Sequence, residues 1–159
     1  MSISLIVATS INNVIGINNQ LPWNLPKELE HFYQLTNGKS VIMGHKTYRS
    51  IGKPIKNANN YILSNDPVLH IPGCIVINSI NAVLNLSVQT DSEIMIIGGE
   101  SIYRQFLPFA NKIYLTIIEQ DFVGDTYFPA WSKDDWQIID QQRIISEIHP
   151  YTLLTLQKL

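Results

Sequence analysis

Glu28 is the residue whose setting most invites acid chemistry. Pro26 suits a helix start, where its missing N–H loses nothing, and residues 26–35 predict a helix. At about 100° per residue, Leu25, Leu29, Phe32, Tyr33 and Leu35 fall in an arc roughly 160° wide, opposite Lys27, Glu30, His31 and Gln34. Glu28 lies inside the apolar arc. Its carboxylate either sits in the first turn, favoured by the helix dipole, and leans into solvent, or faces the interior beside Phe32. There burial raises its pKa unless donors from a ligand satisfy it. An acid fixed in a cleft suits recognition and protonation of a ring.

A second chemistry is offered by two apolar runs that end in glycine and pass into helix-starting residues. These are Val41-Ile42-Met43-Gly44-His45-Lys46-Thr47 and Ile96-Ile97-Gly98-Gly99-Glu100-Ser101-Ile102-Tyr103. Free N–H groups at helix starts after strands bind phosphate, and glycine lets a ligand approach the backbone. His45 and Lys46 add positive charge where a nucleotide phosphate could sit. Either motif alone is equally an ordinary turn; together in a small chain they point to a nucleotide.

Other chemistries find less support. Gly38-Lys39-Ser40 has the ending of a P-loop, but Tyr33 stands where the first glycine is required, and no Gly-x-Gly-x-x-Gly fingerprint occurs. His31, His45, His70 and His149 lack the i, i+4 pairing or cysteine partner of a metal site. Asn85-Leu86-Ser87 matches a glycosylation acceptor by chance.

The elements that must position these residues follow from short apolar runs at residues 3–8, 41–43, 61–63, 74–77, 94–97 and 113–118. Runs without alternation suit strands covered on both faces. Helix-like stretches at 26–35, 47–51, 80–86 and 101–107 alternate with them, which predicts an α/β fold with a mostly parallel sheet. After Asp125 the pattern changes: 137–145 and 151–156 flank a turn-prone stretch with His149-Pro150 and predict an antiparallel hairpin. Residues 9–25, rich in asparagine and carrying Gly16 and Pro22, are too long for an ordinary strand-to-helix connection and suit a lid.

Composition bounds the partners. The 159 residues, 45% hydrophobic, fit one domain, 1–159, and a formal charge of -2 gives no basic field for nucleic acid. A single cysteine, Cys74, excludes an internal disulfide, and the absence of a signal-peptide pattern or a spanning apolar stretch predicts a cytoplasmic chain without a membrane. The expected partner is a small molecule.

Taken together, Val14-Ile15-Gly16, Leu21-Pro22-Trp23-Asn24-Leu25-Pro26, Val41-Ile42-Met43-Gly44, Ile62-Leu63-Ser64, Ile97-Gly98-Gly99 and Gly124-Asp125-Thr126-Tyr127-Phe128-Pro129 closely resemble the dihydrofolate reductase family in order and spacing. The resemblance implies an eight-stranded, mostly parallel sheet with a C-terminal antiparallel strand, and a monomer that reduces 7,8-dihydrofolate with NADPH. It decides for the interior reading of Glu28, which takes the family's acidic position and would bind the pterin N3 and 2-amino group, with Thr116 in the same network. It implies that Ile6, Val7, Phe32, Ile51 and Ile55 wall the substrate pocket, with Lys53 and Ile97 also at the substrate. Leu21 and Trp23 belong to the lid, and Tyr103 approaches both rings. For the cofactor it implies Ala8, Ile15 and Gly16 on the nicotinamide side; Ile97, Gly98, Gly99, Glu100, Ser101, Ile102 and Tyr103 at the pyrophosphate; and Gly44, His45, Lys46, Thr47, Leu63, Ser64, Asn65 and Thr126 around the remainder. Ser64 and Asn65, with the His45 segment, would read the 2′-phosphate that separates NADPH from NADH.

The chain departs from the family pattern in two places. Two residues before Asn60 the family has an arginine that pairs with the α-carboxylate of folate's glutamate tail; here the residue is Ala58. Losing that contact weakens tail anchoring by about 1.5–3 kcal/mol unless Lys53 or Lys56 substitutes. Two readings follow: a dihydrofolate reductase with relocated tail binding, or a reductase of a tail-less dihydropterin. Glu100 and Ser101 also stand where many members have glycine and a basic residue, which predicts weaker cofactor binding. A third reading, a non-catalytic nucleotide-binding protein on the same fold, is disfavoured by Glu28 and the Leu21-Pro22-Trp23 lid.

Overall fold

The computed structural model describes residues 2–145 and 147–159. Its central feature is an eight-stranded sheet built from β1 (Ile3–Ser10), β3 (Ser40–Gly44), β4 (Asn59–Leu63), β5 (Ile75–Ile77), β6 (Ile94–Gly98), β7 (Lys112–Ile118), β9 (Trp136–Ile144) and β10 (Tyr151–Lys158), in the order β5-β4-β3-β6-β1-β7-β10-β9. Neighbours from β5 to β7 pair in parallel, and β10 runs against both β7 and β9. Helices α1 (Pro26–Thr36), α2 (His45–Ile51), α3 (Ile80–Gln89) and α4 (Glu100–Phe106) connect the strands. The α/β architecture and the closing antiparallel hairpin are those the sequence predicts.

The non-alternating runs are explained by cover on both faces. Along β1, Ile3, Leu5 and Val7 pack into one cluster with Ile102, Tyr103, Phe106 and Phe128, whereas Ile6 packs on the other face with Met43, Ile55, Phe32 and Tyr33. In β6, Ile94 and Ile96 face the first cluster, Met95 and Ile97 the second. A central strand covered on both faces has few positions for a polar side chain, with Ser4 in β1 and Thr116 in β7 among the buried exceptions that find partners, so its period-2 pattern fades.

The predicted lid is more ordered than a loop reading allows. β1 continues to Ser10, and a separate two-stranded sheet pairs β2 (Val14–Gly16) with β8 (Thr126–Tyr127). These strands are too short to announce themselves by periodicity. Asparagine supplies the left-handed backbone here: Asn13, Asn18 and Asn19 have φ of 69°, 51° and 61°, conformations that its short polar side chain tolerates. Reciprocal 2.9 Å backbone bonds between Ile17 and Gln20 close the turn around Asn18 and Asn19.

Candidate functional site

The acid end of the cleft is assembled across the whole chain. Parallel pairing of β1 with β7 sets Ala8 opposite Thr116, and Thr116 hydrogen-bonds Glu28 from below α1. Glu28 is only 8% exposed, so the solvent-facing alternative is excluded. Leu29, by contrast, is 43% exposed although it belongs to the apolar arc. Burial pushes Glu28 up to about 7; the Thr116 hydrogen bond pulls against that, and the negative charge of Glu147 adds to it. Tyr103, buried, donates its hydroxyl to the Ile6 carbonyl at 2.7 Å and stacks edge-on against Phe128. Burial, then the charge of Glu28, hold its phenol well above the ordinary range.

The residues expected to wall the pocket divide between the two faces of the sheet. Ile6, Ile55 and Ile97, with Phe32 and Ile51 at the margin, share the cluster under α1. Val7 does not join them: its side chain points to the opposite face, with Tyr103 and Phe128, because successive strand residues alternate. Lys53 lies farther out, in a groove of about 540 Å³ between α1 and the 53–57 loop, with Tyr33, Gln34, Asn37 and Lys56. Asn60 shapes that loop. Its side chain accepts from Ile55 N at 2.7 Å and donates to the carbonyls of Ile55 and Ala58 at 3.0 and 3.2 Å. Gly38 N donates to Asn57 O at 2.7 Å and ties the end of α1 to the same loop.

The lid closes over this end from residues 17–25. Trp23 is buried edge-on against Phe122, and its Nε1 has no hydrogen-bond partner among the described residues; Leu21 is 54% exposed. Asp125 holds the lid's base: its Oδ2 accepts from Asn18 N at 3.0 Å, and its own N–H donates to Gly16 O at 3.0 Å.

At the other end, three segments predicted to meet a nucleotide converge on the carboxyl ends of adjacent strands. Register pairs Gly44 with Leu63, and Met43 with Gly98, so Gly44-His45, Leu63-Ser64 and Gly98-Gly99 lie side by side. Backbone is bared there. Gly98 has φ +123°, where a side chain is strained, and a Cβ on it would meet the Tyr103 ring at 3.2–3.3 Å; a Cβ on Gly99 would meet Thr47 Oγ1 at 3.3 Å, and one on Gly44 would meet Ile102 at 3.2 Å. The Gly98–Gly99 peptide is cis. Among the described residues neither α2 nor α4 has a side-chain cap at its N-terminus. His45 and Thr47 are half-buried, and Lys46 and Asn65 exposed, around this end. Ile15 packs at the margin of the first cluster, and Thr126 pairs with Gly16. Ser64 Oγ accepts from Asp66 N, closing a turn. Ser101 is exposed, whereas the side chain of Glu100 is engaged away from the glycines, accepting from Tyr127 N at 2.6 Å and pairing with Arg104 at 3.7 Å.

Sequence reasoning assigns no role to Glu147, Tyr151 or Asp125. Asp125 sits within a quoted motif, but nothing in residue spacing brings the β9–β10 loop to Glu28.

Chains of known kind share this arrangement. The family described as dihydrofolate reductase matches residues 2–158. The dihydrofolate reductase of Haemophilus influenzae is 45% identical over 152 residues, 95% of this chain and 94% of its own, and that of Bacillus subtilis is 37% identical over 94% and 89%. A dihydrofolate reductase structure from Enterococcus faecalis, complexed with NADP(H) and the ligand RAB-propyl, superposes with a TM-score of 0.94 at 24% identity, covering 99% of this chain and 96% of that one. A buried acid on the first turn of α1, a glycine cradle on the same sheet edge and a family match running nearly end to end lead to one assignment: the chain belongs to the dihydrofolate reductase family.

Proposed function

We infer that this chain is a dihydrofolate reductase, which reduces the C6=N5 bond of 7,8-dihydrofolate to give 5,6,7,8-tetrahydrofolate with NADPH as reductant. The observation that carries the reading is Glu28, a carboxyl buried on the cleft side of the sheet and ionising near 7, beside a strand edge bared by glycine.

The cradle fits the cofactor. Gly44, Gly98 and Gly99 let the strand ends pack tightly against Ile102, Tyr103 and Thr47, and the helix starts without side-chain caps and His45, Lys46 and Thr47 supply donors and charge for its phosphates. Ser64 and Asn65 stand at the adjoining strand end to read the 2′-phosphate. Bound there, NADPH supplies the hydride that C6 accepts.

The chain's own residues position the rings and manage one proton. Glu28, steadied by Thr116, accepts hydrogen bonds from N3 and the 2-amino group of the pterin. Below its midpoint the site holds a proton; above it, the carboxylate favours a protonated pterin ring. Trp23 Nε1, a buried donor with no hydrogen-bond partner among the described residues, is available to the substrate, and Leu21 and Trp23 exclude bulk water. Tyr103, fixed on Ile6 O, sets the depth to which both rings enter. N5 takes its proton as C6 takes hydride, so one NADPH and one proton are consumed per tetrahydrofolate formed. Catalysis takes place in a monomer in the cytoplasm, with the whole chain as one domain.

Ala58 leaves the glutamate tail without its family arginine, and the outer groove offers Lys53 and Lys56 instead. NADPH oxidation followed by absorbance, with dihydrofolate and with a tail-less dihydropterin, tests both statements. A higher kcat/KM for dihydrofolate is expected; equal values would mean that only the ring is read, and no oxidation with either would end the reductase reading.

A further inference from the structure

Glu147 lies in the loop between β9 and β10, far in sequence from α1. Its Oε1 nevertheless accepts from Lys27 N at 2.9 Å. The N-cap of α1 is Leu25, whose side chain caps nothing, so a carboxylate brought from the other end of the chain fills the place of a capping side chain. Oε2 of Glu147 is buried with no partner at hydrogen-bonding geometry among the described residues; burial, then the Glu147 carboxylate, hold the Tyr151 phenol above its ordinary range.

We propose that Glu147 is a positioning residue for the acid of the site: it caps the first turn of α1, which carries Glu28, and places a second carboxylate behind it, whose charge adds to what burial does to Glu28. The helix dipole would ordinarily draw a first-turn carboxylate toward its charged form. Glu147 occupies that N-terminus first, and Glu28, facing the same end, meets a carboxylate in addition to a dipole.

The groups that face Glu28 are few. β7 contributes the neutral Thr116, α4 the phenol of Tyr103, and β10 the phenol of Tyr151. The lid contributes the indole of Trp23, which with Tyr151 and Ala8 forms the small cluster at this end of the sheet. On α1 itself His31 is half-buried, and burial lowers its pKa; His149 stacks on Phe122 rather than on the acid. Among them Glu147 is the group that acts on Glu28 by its charge.

The consequence for turnover rests on the reductase reading, but the test does not. Protein labelled with carboxyl-¹³C glutamate, with the Glu28 resonance assigned by its loss in Glu28→Gln, gives the Glu28 midpoint without substrate or cofactor. Glu147→Gln keeps an oxygen to accept from Lys27 N and removes the charge. Its Glu28 midpoint is expected to fall by about half to one pH unit, with little change in Tm. A midpoint equal to that of the unmodified protein would reduce Glu147 to a helix cap and overturn the proposal. If Glu147→Gln does not fold, Tyr151→Phe carries the test: loss of the phenol that faces Glu147 raises the Glu28 midpoint, and an unchanged or lower midpoint overturns the proposal. Failure of dihydrofolate reduction would leave either titration interpretable.

Discussion

The two ends of the cleft are built by opposite means. The end proposed for the cofactor is made of local backbone: Gly44 and Gly98-Gly99, each at a strand end entering a helix, with no room for a Cβ beside Ile102, Tyr103 and Thr47. The acid end is made of side chains from distant segments, with Glu28 from α1, Thr116 from β7, Trp23 from the lid and Glu147 from the last loop. One end binds by what is absent from the backbone, the other by what burial does to a charge.

The sharpest way to separate them is Glu28→Gln, which is expected to fold, to bind NADPH with unchanged Kd, and to lose turnover near neutral pH by about 10²–10³-fold. Steady-state rates together with a fluorescence titration of NADPH check this, and retained turnover would remove Glu28 from the mechanism. The converse substitution is Gly98→Ala. At φ +123° and with the Tyr103 ring at 3.2 Å, it is expected to cost about 1–3 kcal/mol of stability and to weaken NADPH binding while leaving the Glu28 midpoint in place. Denaturant melts and the same titration read both.

Smaller effects probe what frames the acid end. Asn60→Ala removes three hydrogen bonds, one of them to the buried N–H of Ile55. It is expected to cost about 1–3 kcal/mol and to raise KM for dihydrofolate more than for a tail-less pterin. Asp125→Ala releases the Asn18 N–H from the base of the lid and is expected to lower kcat by roughly two- to ten-fold with no change in Tm beyond a degree or two. A lid-limited step measured by stopped flow would show the change.

What the sequence discloses follows the same division. Strand and helix positions are legible because β1, β3, β6 and β7 are largely apolar on both faces and because β3 and β6 end in glycine, Gly44 and Gly98, where a helix begins. Glu28 is legible as a candidate through the angle it takes on α1, although the family resemblance was needed to choose between two readings of it. The opposite faces taken by Ile6 and Val7 are not legible, because a continuous apolar run hides which face each residue takes. The β2–β8 pair was missed because two or three residues show no period. Glu147 could not be found at all: its effect depends on β10 folding back along β7, which carries the loop of Glu147 to the start of α1, and no local spacing encodes that approach.

The claim on which the rest depends is that Glu28 is an acid held protonated by its surroundings up to about pH 7. The most direct check compares the stability of the ligand-free protein with that of Glu28→Gln across pH. Below about pH 4.5 the acid is protonated in both folded and unfolded chains, and burial costs nothing in charge; above 7 it is ionised in both, and the folded chain alone bears a buried carboxylate. The unfolding free energy of Glu28→Gln, relative to the unmodified protein, is therefore expected to climb between pH 4.5 and 7 and level off about 3 kcal/mol higher. A difference that stays flat across that interval would contradict the account.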